Sequence, residues 1–362
     1  MKISLNTLER VEVGVLNTPL EYMPRLTEKL GKGNLYIKRD DMTGLAFGGN
    51  KSRKLDYIVK YALDNNYTTL LTYGGVQTNH GRMTIAAASK FGLKSILMCY
   101  GDKPEILSGN LVLDRMLGAE IVFMDVSEAR KATPGPEQIK AYVDKRISAT
   151  EMIVKKYEAQ GDKVLIIPIG GHNAIGTAGY IFAVKEIIAQ MKAQNIKAKY
   201  LVAGYGSTGT FAGLWIGAKY YNAPFEVIGI PMSPSPASQE SCATFINEVC
   251  ETFDLNIVCN PEDIRIEQGP DHDKYAGLGY NIPDPKTREY MYMLARTEGI
   301  LTDPCYTGKT FRGFCELIQN NIIPNGQDAI YLHTGGTPAI WTQEHLNEIQ
   351  SELWNDKDIT II

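Results

Sequence analysis

The chain has 362 residues, 44% hydrophobic and 22% charged, with a net charge of −4; this is the make-up of a globular protein with room for one large domain or two. The slight negative charge and the lack of a basic run exclude a nucleic-acid groove or an anionic membrane surface as the expected partner. No stretch reaches the roughly 18 apolar residues of a membrane span, and Met1 to Leu5 lacks the apolar run of a signal peptide, so the expected location is the cytoplasm.

The six cysteines form no CxxC pair and the five histidines no HxxxH pair. Neither a disulfide framework nor a metal site is expected from them.

In chain order, short β-branched runs predict strands at Leu35 to Lys38, Thr69 to Tyr73, Ser95 to Cys99, Glu120 to Met124, Val164 to Pro168, Tyr200 to Ala203, Glu226 to Ile230 and Ala329 to His333. Amphipathic stretches between them predict helices at Lys54 to Leu63, Gly81 to Phe91, Pro136 to Ala159, Ala178 to Lys192 and Pro285 to Glu298. Ser127 to Gly135 reads as a loop. This alternation predicts an α/β protein with parallel sheets covered by helices. Ligands of such sheets bind beyond the carboxyl ends of the strands, so the turns after strands carry the information.

The first informative turn is Phe47-Gly48-Gly49-Asn50-Lys51-Ser52-Arg53-Lys54-Leu55. Glycines end a loop, Asn50 is a candidate cap, and Lys51 falls in the first helical turn. The positive end of the helix dipole lowers an amine's pKa there, which suits an imine-forming lysine. The alternative is a solvated basic turn, with Arg53 and Lys54 close by.

Gly74-Gly75-Val76-Gln77-Thr78-Asn79-His80-Gly81 joins a strand to a helix. Its helix N-terminus suits a carboxylate, although Thr78 or Asn79 could equally be a plain N-cap. Gly204-Tyr205-Gly206-Ser207-Thr208-Gly209-Thr210 follows an apolar strand. Backbone amides and hydroxyls there suit a phosphate, but no lysine precedes the Ser/Thr as in a Walker loop. Thr302-Asp303-Pro304-Cys305-Tyr306-Thr307-Gly308-Lys309 and His333-Thr334-Gly335-Gly336-Thr337 are two further hydroxyl-bearing turns, each weak alone.

Taken together and in order, GGNKSRKLDY, GGVQTNHGR, GSTGTFAGL, DPCYTGK and HTGGTPA resemble the D-cysteine desulfhydrase and 1-aminocyclopropane-1-carboxylate deaminase family. That family is a branch of the tryptophan-synthase-β-like, fold type II pyridoxal-phosphate enzymes. The resemblance runs from Leu35 to Trp341. It implies two open, twisted, mainly parallel sheets flanked by helices, a large cofactor-binding domain from residues 1–52 plus 163–362, and a small inserted domain at 53–162. It also implies a homodimer acting on a small amino acid.

The resemblance further implies roles for single residues. Lys51 would hold pyridoxal 5′-phosphate covalently and then move the Cα proton. Asn79 would bond the cofactor's 3′ oxygen, and Gly206, Ser207, Thr208, Gly209 and Thr210 would cup its phosphate. Thr307 would face the pyridine nitrogen. Gln77, Thr78 and Asn79 would receive the substrate carboxylate, with Tyr280, Tyr306 and Thr334 beside the substrate; Thr78, Tyr280 and Tyr306 join Lys51 as catalytic candidates.

Two positions bear on the reaction. The deaminases usually carry Glu and Leu where this chain has Thr307 and Thr334, and the desulfhydrases resemble this chain. A neutral hydroxyl at the pyridine nitrogen supports a weaker electron sink than a carboxylate, which suffices when a good β leaving group departs. D-cysteine giving pyruvate, ammonia and hydrogen sulfide is therefore the expected reaction. Cyclopropane deamination, a cysteate sulfo-lyase and β-replacement are rivals on the same scaffold. A nucleotide-dependent transferase and a non-catalytic amino-acid-binding protein are rivals outside it. The family commonly has Ser at the Thr78 position, and the extra methyl is expected either to narrow the pocket or to shift the preferred amino acid.

Overall fold

A computed structural model of the chain describes residues 2–133, 136–354 and 359. The predicted strands all occur. In chain order the elements are β1 (Leu20–Tyr22), α1 (Pro24–Leu30), β2 (Leu35–Arg39), α2 (Lys51–Asp64), β3 (Thr69–Gly74), α3 (Asn79–Lys90), β4 (Lys94–Cys99), α4 (Asn110–Met116), β5 (Glu120–Phe123), α5 (Ser127–Lys131), α6 (Pro136–Glu158) and β6 (Val164–Ile167). There follow α7 (Ala174–Ala193), β7 (Tyr200–Tyr205), α8 (Gly209–Tyr220), β8 (Glu226–Pro231), α9 (Gln239–Thr252), β9 (Arg265–Ile266), α10 (Pro285–Glu298), α11 (Thr307–Gln319), β10 (Ala329–His333) and α12 (Gln343–Leu353).

Two sheets form. The larger has strand order β1-β2-β10-β7-β8-β9 and the smaller β5-β4-β3-β6. Among the described residues only the β1–β2 pairing is antiparallel. Strands covered on both faces read as mainly apolar runs, and β3 and β10 are buried along their whole lengths, the few polar side chains among them included. The apolar set around α7, α8 and α9 forms one core, and a second fills the space between β2, β10 and α11.

The strand β6 pairs parallel with β3, from Thr69↔Val164 to Thr72↔Ile167. It therefore completes the smaller sheet. The chain returns to the larger sheet after Ile167, beyond the expected boundary at residue 162, because the pairing groups of β3 would otherwise be left open. A second difference is at Ser127 to Lys131, which is a helix rather than a loop. Its first-turn Glu128 and last-turn Arg130 and Lys131 complement the helix dipole. Pro134 and Gly135 of that expected loop lie outside the described residues. No helix among the described residues is long and apolar enough to cross a membrane.

The basic turn at the start of α2 is not solvated. Ser52, Arg53 and Lys54 are all buried. Arg53 is bidentate to Asp40, at 2.8 Å for each bond, and also reaches Glu186 at 2.9 Å. The Tyr180 and Thr18 hydroxyls donate to Asp40 at 2.6 and 2.7 Å, and Lys38 also pairs with Glu186. Charges this deep are tolerated only when paired. The network clamps α2 to α7 and to the end of β2, which fixes the turn that presents Lys51.

Candidate active site

The turns after β3, β6, β7, β8 and β10 meet the start of α2 around a cavity of about 140 Å³. Its wall includes Lys51 and Asn50 from α2's entry, Thr78, Asn79 and His80 after β3, Gly206 to Thr208 and Thr210 after β7, Tyr306 before α11, and Thr334 after β10. Carboxyl ends of parallel strands thus surround one space, as the topology requires of a ligand site.

Lys51 projects into this space from the first residue of α2, with Nζ donating to Asn50 Oδ1 at 3.0 Å. Its amine is lowered to about 8, first by burial and second by the Arg82 guanidinium. The direction agrees with the sequence expectation but the cause differs. Loss of hydration penalises the ammonium. Asn50 is likewise no cap. Its side chain makes no capping bond; the amide Nδ2 donates to the Thr210 hydroxyl at 2.9 Å.

The loop after β7 stands opposite. Thr208 holds φ 59°, an uncommon conformation for a β-branched residue. Gly209 is not in the cavity wall; its N–H donates to the Ser207 carbonyl at 2.8 Å. Its bare Cα has another use, since a Cβ there would stand 2.8 Å from Lys54 Nζ. Lys54 is fully buried, donates to the Gly170 carbonyl at 3.0 Å, and pairs with no carboxylate among the described residues. Burial, then Lys51, hold its amine well below the ordinary range. The sequence reading passed over Lys54 as part of a basic turn, and only its burial against the loop marks it.

Thr78 caps α3, its Oγ1 accepting from Gly81 N–H at 3.1 Å. Thr78 lines the cavity, and its methyl also packs toward two glycines. A Cβ on Gly81 would fall on Thr78 Cγ2 and a Cβ on Gly74 would meet it at 2.5 Å. Glycine at both positions makes the space. Asn79 Oδ1 accepts from Asn110 Nδ2 at 3.0 Å, which leaves its own amide hydrogens for the cavity it lines.

Other expected residues are not brought to the wall. Gln77 is buried, with Oε1 accepting from Asn110 N–H at 2.8 Å, so its side chain is spent on the α4 turn. Thr307 is buried too. Its hydroxyl donates to Asp303 Oδ2 at 2.6 Å and accepts from Asp303 N–H at 2.9 Å. A hydroxyl has one hydrogen, so Thr307 cannot also donate to a ring nitrogen; only a lone pair is left. Asp303 accepts as well from the N–H groups of Cys305, Tyr306 and Thr307 at 2.7 to 2.9 Å, which organises the start of α11.

Tyr280 sits above Tyr306, with ring centroids 5.7 Å apart and planes at 72°. Although 39% of Tyr280 is exposed, its hydroxyl end lies against Gly75, where a Cβ would stand 3.1 Å from the oxygen. Burial pushes both phenols well above their ordinary range. Thr334 offers its carbonyl to Asn50 N–H at 3.1 Å. The six cysteines are free and buried.

The donor set fits a phosphate ester carrying an aldehyde. An unpaired buried amine, Lys54, adjoins a loop whose hydroxyls and first-turn amides lack helical partners. A second amine, Lys51, is near 8 and free to condense.

Comparison with known proteins agrees with this chemistry. Residues 11–335 match the family model described as pyridoxal-phosphate dependent enzyme. A Pyrococcus abyssi protein named "Putative 1-aminocyclopropane-1-carboxylate deaminase" is 31% identical over 96% of this chain and 97% of its own length. The D-cysteine desulfhydrase of Salmonella paratyphi C is 34% identical over 93% of this chain and 97% of its own. The solved structure described as an ACC deaminase homologue superposes with a TM-score of 0.81 at 31% identity, covering 96% of this chain and 98% of that one.

Proposed function

Because the chain belongs to the pyridoxal-phosphate dependent enzymes, we propose that it acts on D-cysteine by β-elimination, giving pyruvate, ammonia and hydrogen sulfide. Relatives named for D-cysteine desulfhydration and for 1-aminocyclopropane-1-carboxylate deamination place it in that group of enzymes, and the choice between them rests on the cavity. The observation that carries the choice is that the cavity wall holds no carboxylate among the described residues. Asp303 is close by but has four donors on its two oxygens, and Thr307 is neutral. A ring nitrogen without an acidic partner makes a shallower electron sink. That suits loss of a thiol, a good leaving group, better than opening of a cyclopropane.

Bound pyridoxal phosphate supplies the electron-withdrawing ring that accepts the Cα electron pair as the β substituent departs. The chain's own residues do the rest. Lys51, with its amine near 8, is partly neutral at pH 7 and takes the Cα proton as general base. Asn79, turned by Asn110, donates toward the ring's oxygen. Ser207, Thr208 and Thr210, with Lys54 behind them, hold the phosphate and so fix the ring against Lys51. The α3 N-terminus at Thr78 and Asn79 receives the substrate carboxylate. Tyr280 and Tyr306 remain protonated and cover the substrate. One water is consumed, so that D-cysteine plus water balances pyruvate, ammonia and hydrogen sulfide.

This reading takes the working enzyme to be a cytoplasmic homodimer, with the smaller sheet as one domain and the larger as the other. A keto-acid and sulfide assay over D- and L-amino acids tests the substrate. D-cysteine is expected to give pyruvate and sulfide in equal amounts. Release of 2-oxobutyrate from 1-aminocyclopropane-1-carboxylate, with nothing from D-cysteine, would overturn it.

A further inference from the structure

We propose that His172 is a positioning residue for the phosphate loop, fixing Ser207 and Thr208 so that the Thr208 hydroxyl is a dedicated donor to the cofactor phosphate. The inference rests on the cofactor reading above and goes beyond it to a residue outside the cavity wall.

His172 follows the Gly170-Gly171 turn after β6. Its ring stacks on Phe245 of α9, with centroids 3.6 Å apart and planes at 22°. The plane of the imidazole is therefore set from behind. Its Nδ1 lies 2.6 Å from the Ser207 carbonyl oxygen and 3.1 Å from Thr208 Oγ1. A carbonyl only accepts, so Nδ1 must carry the hydrogen. A protonated ring nitrogen cannot accept in turn, so the Thr208 oxygen receives from it and keeps its own hydrogen free. Thr208 lines the cavity; His172 does not, and meets the loop where Ser207 and Thr208 also border an open groove of about 850 Å³. The hydroxyl hydrogen is thus free for a phosphate in the cavity that Thr208 lines.

The loop needs such a brace. Thr208 holds φ 59°, a strained backbone conformation for a non-glycine residue. His172 grips the backbone just before the strained residue and its side chain at once. Burial outweighs the Ser207 carbonyl and holds the imidazole below its ordinary range, consistent with a neutral ring bearing one hydrogen.

The test compares binding of pyridoxal phosphate and of pyridoxal, which lacks the phosphate, to the full chain freed of cofactor. His172→Phe keeps a stacking ring and removes the donor. It is expected to weaken pyridoxal phosphate about tenfold, ~1.4 kcal/mol, while pyridoxal changes less than about twofold. His172→Asn restores an N–H near the same place and is expected to recover most of the loss. Thr208→Val should reproduce the phosphate-specific loss and Thr208→Ser should not, which keeps the test open if His172→Phe folds poorly. Equal weakening of both ligands, or no change in either, would overturn the role of His172. If the unaltered chain bound the two ligands equally well, the placement of the phosphate at this loop would itself fail.

Discussion

Asn50 and Thr210 are joined side chain to side chain at 2.9 Å across 160 residues of sequence. The same Asn50 amide accepts from Lys51 at 3.0 Å through its oxygen. One planar group thus ties the reactive amine to the loop that would hold the phosphate, and sets the distance between them.

The bond predicts the effect of charge at position 50. Asn50→Asp puts a carboxylate beside Lys51, and an opposite charge within about 4–6 Å raises an amine's pKa by about one to three units. More of the amine is then ammonium at pH 7 and less can act as base. The acid limb of kcat, expected near pH 8 from the lowered Lys51, should move up, and activity at pH 7 should fall about tenfold per unit. Thermal stability should fall as well, because the buried Asn50 donor to the Thr210 hydroxyl is lost, so the pH limb and not the absolute rate is the readout. An unmoved acid limb in a pH–rate profile would count against the base role.

Asp114 gives a second pH effect, this one on stability. Neither of its buried oxygens has a hydrogen-bond partner, and burial, offset only in part by Arg82, pushes its carboxyl up to about 8. The unfolded chain ionises near 4, so between about pH 4 and 8 the folded state binds the extra proton. Stability from this group is therefore present at low pH and lost as pH rises toward 8. Asp114→Asn should flatten that loss: its melting temperature should match the parent at pH 5 and exceed it at pH 8 by several degrees. A constant difference at both pH values would contradict the assignment.

The glycines around Thr78 predict a coupling. Gly81→Ala should be destabilising with Thr78 present, by roughly 1–3 kcal/mol as an overpacked site, since the new Cβ meets Thr78 Cγ2. With Thr78→Ser the methyl is gone and the cost should shrink, although Leu97 Cδ1 at 2.9 Å keeps part of it. Denaturant unfolding of the four proteins in this cycle measures the coupling, expected above about 0.5 kcal/mol for groups in contact. Additive values would mean that the methyl lies elsewhere.

Much of this was legible in the sequence. The helix at Pro285–Glu298 has both ends written in side chains: Asp284 caps it, Pro285 opens it and Gly299 closes it in the left-handed region. The long β-branched runs gave their strands because burial on two faces leaves only apolar residues. The strands β1 and β9, of three and two residues, are too short to show any period. At the site, residue types were readable and directions were not. Thr307 begins a helix, as the pre-helix turn suggested, yet its hydroxyl turns to Asp303. Gln77 turns to Asn110, and Asn50 serves the cavity instead of the helix. His172 stood in no motif and Lys54 was hidden in one as part of a basic turn, and only folding shows which loop they touch.

The central claim is that the Lys51 amine bonds covalently to the carbonyl carbon of pyridoxal phosphate. Borohydride reduction of the purified protein, then digestion and mass mapping, measures this directly. The account predicts one reduced pyridoxyl adduct, on the peptide containing Lys51. An adduct on Lys54 or another lysine, or none at all, would contradict it.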